Sequence, residues 1–294
     1  MKKSFIQLHV AVFLAGFTAI LGKLITMNEG ILVLYRMLLT IITLSVLLYF
    51  RKQFVKTSQK DILKIFSVGA IIAFHWLTFY GSVKYSNVSI SLTCLSAIGF
   101  FTAFFEPLIM KRRIDMVEVS LGLVAIIGIY LIFDFHPQYK VGIVFGMISA
   151  LLASMFPVYN KKLLEEFTPE TVTFYEMCGG FLILLIFMPF YLGLFPAGYY
   201  WPTLSDWMWL IVLSWLCTVF AFILQLNALR KISPFTVSLS YNLEPIYGII
   251  LGFVIFHENK YLKGAFYWGL ALIFTSVMLQ MIRVYYSHRR VTER

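Results

Sequence analysis

Between Ile31 and Phe50 every side chain except Arg36 is apolar, aromatic or a small hydroxyl, and runs of this kind recur along the chain. About 20 residues of α-helix span roughly 30 Å, the thickness of a bilayer's hydrocarbon core, so a membrane is the natural solvent for such a run. Windows of this length fall over approximately 5–26, 30–50, 62–83, 87–110, 116–134, 141–162, 170–192, 206–229, 234–256 and 264–284. With 60% hydrophobic and 13% charged residues, too few polar groups remain to clothe these helices in water. The sequence predicts an all-α polytopic membrane protein with ten transmembrane helices.

The connections between windows are short, and none is long enough to hold a soluble ATP-binding or catalytic domain. Uphill movement of a solute would therefore draw on a gradient. The first window follows MKKSF but is longer than a signal-peptide core, contains Lys23 and lacks an A-x-A site, so it is read as a span. Cys94, Cys178 and Cys217 lie far apart inside spans and suggest neither a disulfide framework nor a metal cluster. No H-E-x-x-H or G-x-S-x-G set is present, which argues against an intramembrane enzyme.

Orientation follows from the basic residues. With the amino terminus inside, 18 Lys and Arg fall on inner segments and 5 on outer ones, Arg36 being the remaining member of 24. The positive-inside rule then places both termini in the cytoplasm. The net charge of +10 is a topology signal with some attraction to anionic lipid, and it gives no reason to invoke nucleic acid.

Internal similarity sets the organisation. LYRMLL from Leu34 and FYEMCG from Phe174 occupy matching places in the second and seventh spans, and KYSNVSISL from Lys84 resembles RKISPFTVSL from Arg230. Two copies follow, residues 1–136 and 137–294. Each holds five spans, an odd number, so the second is threaded with opposite orientation, an arrangement whose substrate site lies near the midplane between the halves.

Residues 227–279 resemble the carboxy-terminal half of an EamA domain of the drug/metabolite transporter superfamily, through Leu243-Glu244-Pro245, His257-Glu258, Gly264 and Gly269. The first copy, with Tyr35-Arg36 and FYGSVKYSNVSISL, is similar to the amino-terminal half, so the resemblance covers essentially the whole chain. It departs at IMKRRID, where Lys111 and Arg112 stand in place of His257 and Glu258. The resemblance implies a ten-helix inner-membrane carrier, commonly an exporter of amino acids or related metabolites, without a bound cofactor. Relatives of that kind also carry nucleotide sugars and lipid-linked sugars, so the resemblance does not choose a substrate.

Arg36 is the most informative residue. A charge at the bilayer centre costs about 2.5–3.5 kcal/mol on insertion scales, so Arg36 should face protein or a watery cavity. Its planar fork of donors suits either a structural role on backbone carbonyls or an anionic substrate group. Glu176 is the tempting partner, but each lies about six residues from opposite ends of its span. At ~1.5 Å per residue across a ~30 Å core they differ by roughly 12 Å in depth, too far for a salt bridge. Glu176 then suits a substrate amine, a coupling proton or a hydrogen bond to a neighbouring helix.

Other polar residues fall on stripes. His75, Thr78, Phe79 and Ser82 share one face of the third span, with Trp76 and Tyr80 on adjoining sectors as cavity walls or lipid-facing bulk. Ser89, Thr93 and Ser96 mark the fourth span, and Ser214, Thr218, Ala221 and Gln225 the eighth; close helix packing explains such stripes as well as a cavity does. The sixth span carries Gly146, Ala150, Ala153, Pro157 and Asn160, with a hinge or site-lining bend expected at Pro157. The ninth gathers Ser240, Tyr241, Asn242, Glu244 and Pro245, and Glu244 either binds substrate or supports a bend.

The expected substrate-binding or gating set is Arg36, His75, Thr78, Ser82, Thr93, Asn160, Glu176, Gln225, Tyr241 and Glu244. Its expected partners are a small-molecule substrate, the lipid bilayer, a coupling proton and a second copy in a homodimer. The second class of function to weigh is a flippase of a lipid-linked sugar, which would show a polar-lined lateral opening.

Overall fold

The computed structural model describes residues 2–52, 57–111, 113–135, 137–232, 234–241 and 243–292; Arg112 and Asn242, both singled out above, lie outside the described residues. The described chain is helical: α1 (Lys2–Leu24), α2 (Glu29–Phe50), α3 (Gln59–Tyr85), α4 (Val88–Leu95), α5 (Ile98–Met110), α6 (Met116–Phe135), α7 (Lys140–Leu163), α8 (Pro169–Leu194), α9 (Leu204–Ser214), a π-helical turn (Trp215–Phe220), α10 (Ala221–Leu229), α11 (Pro234–Tyr241), α12 (Glu244–Phe256) and α13 (Gly264–Thr292). Among the described residues seven helices, counting α4 with α5 and α9 with α10, are long and apolar enough to cross a membrane. Shorter apolar helices lie over Met116–Leu131, Glu244–Phe256 and Gly264–Ser276.

Local chemistry sets the helix starts. The Asn28 side chain accepts from Gly30 N at α2, Ser58 from Asp61 N at α3, and Thr168, followed by Pro169, from Thr171 N at α8. Thr203 and Asp206 form a capping box at α9. Three of the expected spans are each divided into two helices, the one over 206–229 by the π-helical turn between α9 and α10. Between α4 and α5, Ser96 N and Ala97 N reach back only three residues, to Thr93 O and Cys94 O, a tight turn that redirects the axis. The span over 234–256 divides between α11 and α12, and both α5 and α12 end on a left-handed residue, Lys111 and His257. At Pro157, where a hinge or site-lining bend is expected, α7 runs unbroken and the proline lines the central cavity.

Packing places α3 at the centre, lying along α7 and α8, with α1 against α10 and α12, and α6 paired with α13. The approach of α3 to α8 is so close that a Cβ built on Gly69 would stand 2.0 Å from the Glu176 backbone oxygen. Gly69→Ala should therefore destabilise the fold by about 1–3 kcal/mol or more through overpacking, seen as a lower thermal unfolding midpoint of the purified protein. An unchanged midpoint would mean that the two helices can separate freely.

Polar side chains tie the two ends of the bundle. At one end Glu258 receives Lys23 Nζ (2.6 Å), Val88 N (3.1 Å), Ser89 N (2.9 Å) and Ser89 Oγ (2.6 Å), while Lys84 Nζ donates to Ile25 O and Met27 O. Asp206 accepts from Thr26 N at 2.9 Å, and Tyr191 donates to Glu29 at 2.5 Å. At the other end Lys161 caps the carbonyls of Leu229 (2.6 Å) and Arg230 (3.1 Å), and Arg283 pairs with Asp115, holding that loop carboxyl below the usual carboxylate range. The outer surface is apolar, with Phe50, Ile186, Trp201 and Leu204 between 76% and 81% exposed.

Candidate functional site

The site is built around Arg36, in the second turn of α2 and only 2% exposed. Its Nε donates to Thr218 Oγ1 (2.8 Å), Nη1 to Tyr80 OH (2.7 Å) and Nη2 to Cys217 O (3.4 Å), and its Cζ lies 3.6 Å from the centroid of the Trp76 ring. The π-helical turn explains two of these contacts. Its wider winding lets Thr218 Oγ1 donate five residues back to Leu213 O at 2.8 Å, which leaves its lone pairs and the Cys217 carbonyl turned toward the guanidinium. Three of the five N–H groups are thus engaged among the described residues.

Arg36 borders a cavity with the walls of six expected spans. Ala15 and Thr18 come from α1; His75, Trp76 and Phe79 from α3; Leu95 and Ile98 from α4 and α5; Phe156 and Pro157 from α7; Cys217, Phe222 and Gln225 from the π turn and α10; Tyr241 and Glu244 from α11 and α12. The room open to the centres of water-sized bodies is about 80 Å3, enough for several waters or one small polar molecule. Arg36 and Glu244 both line it, and no ion pair joins them among the described residues. His75 is held by Ser149, whose backbone oxygen and Oγ lie 3.0 Å and 2.9 Å from its Nδ1, and it stacks on Phe79. A guanidinium and a carboxyl group thus line one aromatic-walled chamber.

Of the residues expected in the site, Arg36, His75, Gln225, Tyr241 and Glu244 meet at this cavity, and five others do not line it. Thr78 and Thr93 bond to carbonyls of their own helices, the latter at 2.7 Å to Ser89 O, and Ser82 donates to Ser91 Oγ at 2.8 Å between α3 and α4. Their hydroxyls are consumed by packing. Glu176 and Asn160 are both fully buried elsewhere, and no ion pair joins Arg36 to Glu176 among the described residues. Tyr80, 0% exposed, and Trp76, 4% exposed, face the guanidinium rather than lipid. Sequence reasoning missed both as Arg36 partners, although Tyr80 lies one helical turn beyond Trp76 and the two flank the His75 stripe.

An apolar-skinned helical bundle with a central chamber lined by Arg36 and Glu244 is the architecture of a polytopic membrane protein. The profile of the EamA-like transporter family matches residues 2–134 and 140–282, and the chain belongs to that family. It is 24% identical to the uncharacterized transporter YxxF of Bacillus subtilis over 78% of this chain and 72% of that one. It is 22% identical to the uncharacterized transporter YetK of the same organism over 95% and 87%. A solved crystal structure at 14% identity superposes over 96% of this chain and 97% of its own with a TM-score of 0.65, a likeness of fold. The protein is an integral membrane transporter.

Proposed function

We propose that this transporter is a secondary carrier of the inner, or plasma, membrane that exports small amino-acid-like metabolites by alternating access. In this reading the chain crosses the bilayer ten times as two inverted repeats, residues 1–136 and 137–294, with both termini cytoplasmic. The observation that carries it is the chamber itself: the Arg36 guanidinium, which borders it, can take a carboxylate, while Glu244 lines the same space and can take an amine. Trp76, Phe79, Phe156 and Phe222 exclude water around the remainder of such a molecule.

The cluster of Glu258, Lys23 and Ser89 would then close the extracellular end, leaving the chamber to exchange with the cytoplasm. A lipid-linked sugar flippase would need a polar-lined lateral cleft. The groove beside α2 and α10 is instead lined mainly by apolar side chains, Leu44, Leu47, Leu48, Val219, Phe220 and Ile223, together with Arg51 and Glu170. The test is counterflow in proteoliposomes loaded with a mixed pool of amino acids and polar metabolites, read by mass spectrometry for wild type and Glu244→Gln. Selective exchange of compounds bearing both an amine and a carboxylate, weakened by Glu244→Gln, is expected. Folded wild-type protein that exchanges no soluble compound would overturn the reading.

A further inference from the structure

A second hollow lies on the outer side of the bundle, apart from the Arg36 chamber. α2 packs on α8, α9 and the π-helical turn, whereas α10 leans on α1 and α8, and a groove runs between α2 and α10. Trp215 Nε1 donates to Thr43 Oγ1 at 2.9 Å and ties the π turn to α2 one residue before the groove begins at Leu44. The groove is open to the centres of water-sized bodies over about 250 Å3, against about 80 Å3 for the chamber. Leu44, Leu48 and Val219 of its lining are buried, while Leu47, Phe220 and Ile223 reach the surface.

Two opposite charges interrupt this apolar lining, and both lie at one end of the bundle. Arg51 caps the carboxy-terminal end of α2, and Glu170 stands in the first turn of α8. Both are exposed, and among the described residues neither is in an ion pair. Tyr49 and Phe50, 72% and 78% exposed, directly precede Arg51 and mark the depth at which headgroups begin. From Leu44 to Arg51 is seven residues of helix, about 10 Å, so the groove leads from the headgroup layer into the hydrocarbon. An acyl chain fits its inner part. At its mouth a guanidinium takes a phosphate through parallel N–H donors, and a carboxylate takes an ammonium. An anionic lipid without an amine would suit Arg51 but meet a like charge at Glu170, whereas a headgroup that carries both signs suits the pair.

We propose that the groove between α2 and α10 is a binding site for one phosphatidylethanolamine, with an acyl chain along Leu44, Leu48 and Val219, the phosphate at Arg51 and the ammonium at Glu170. The site bears on the chamber through the π turn. Val219 and Phe220 of that turn line the groove, and Cys217 and Thr218 of the same turn hold Arg36. A chain seated in the groove packs against the outer side of the turn and braces its inner side on the guanidinium. An influence on solute movement rests on the transport reading above; lipid binding does not.

The experiment uses the purified, delipidated full chain in detergent without any solute. Phosphatidylethanolamine, phosphatidylcholine and phosphatidylglycerol of matched acyl chains are added in equal amounts, and retained lipid is counted by native mass spectrometry. Wild type is compared with Arg51→Gln, Glu170→Gln, Leu47→Trp, which fills the groove, and Lys60→Ala, an exposed lysine at the same end of the bundle. Each variant is checked for a monodisperse elution profile. Wild type is expected to hold one phosphatidylethanolamine in preference to the choline lipid, whose quaternary ammonium has no N–H, and to the glycerol lipid, which has no amine. Leu47→Trp should lose it, and Arg51→Gln and Glu170→Gln should each weaken it by about two- to fivefold, the range for exposed ion pairs. Glu170→Gln should also lose the preference over phosphatidylglycerol, and Lys60→Ala should match wild type. Wild type that retains none of the three selectively, or that prefers phosphatidylglycerol, would overturn the proposal, as would selectivity left intact in both Arg51→Gln and Glu170→Gln. Because the readout involves no solute, that failure is distinct from an absence of counterflow.

Discussion

Arg36→Ala is expected to reduce solute counterflow by about 100-fold or more, the largest effect of any single substitution in the chamber. Hydrogen bonds to a charged group contribute about 1.5–3 kcal/mol each, and ~1.4 kcal/mol is a tenfold change in affinity, so losing a pair of such bonds to a carboxylate gives a loss of that order. The alanine also strands Tyr80 OH and the Cys217 carbonyl and empties the space over Trp76. Arg36→Lys should recover part of the exchange, because one ammonium restores the charge but cannot satisfy Thr218, Tyr80 and a solute in one plane. Tyr80→Phe, which removes only one partner, should be milder than either. The rates are read alongside the thermal unfolding midpoint. Normal exchange by Arg36→Ala protein with a lowered midpoint would show that the guanidinium serves the fold alone.

The second large effect belongs to Glu258. Its carboxylate, 2% exposed, covers the first two N–H groups of α4 and anchors Lys23 of α1. The start of a helix carries a partial positive charge and unsatisfied donors, so a carboxylate there is stabilising twice over. Glu258→Ala should lower stability by about 2–4 kcal/mol, the range for leaving buried hydrogen-bonding groups without a charged partner. For a chain of this size that is a fall of several degrees in the unfolding midpoint. Lys23→Ala should cost much less, because the lysine side chain is 35% exposed and water replaces its partner. Were the two variants equally stable, Glu258 would be serving as a surface ion pair and the cap would be without weight. In the transport reading, Glu258→Ala also increases labelling of a cysteine introduced at Ser89 by a membrane-impermeant reagent added outside.

Much of this was legible in the chain. Apolar runs of membrane length located the seven helices that are long and apolar enough to cross a membrane, because in lipid every backbone group must bond within its own helix. The isolated charge of Arg36 announced a polar interior, since lipid tolerates no other placement. The same logic exposed Glu176, and counting residues from the span ends was enough to separate the two. Hydroxyl stripes were less informative. Thr78, Thr93 and Ser82 have the spacing of cavity residues, yet a serine or threonine satisfied by its own helix or a neighbour looks the same in sequence.

By itself, then, the sequence determined the apolar helices, their approximate bounds and the charged residues that had to be turned inward, because these depend on the local balance between side chain and solvent. Only the tertiary structure decided what each buried group touches. The π turn that aims Thr218 and Cys217 at Arg36, the reach of Glu258 across 169 residues of chain to Ser89, and the burial of Glu176 away from the Arg36 cavity depend on helix rotation and close approach. Those are set by packing among many side chains at once, and no window of sequence contains them.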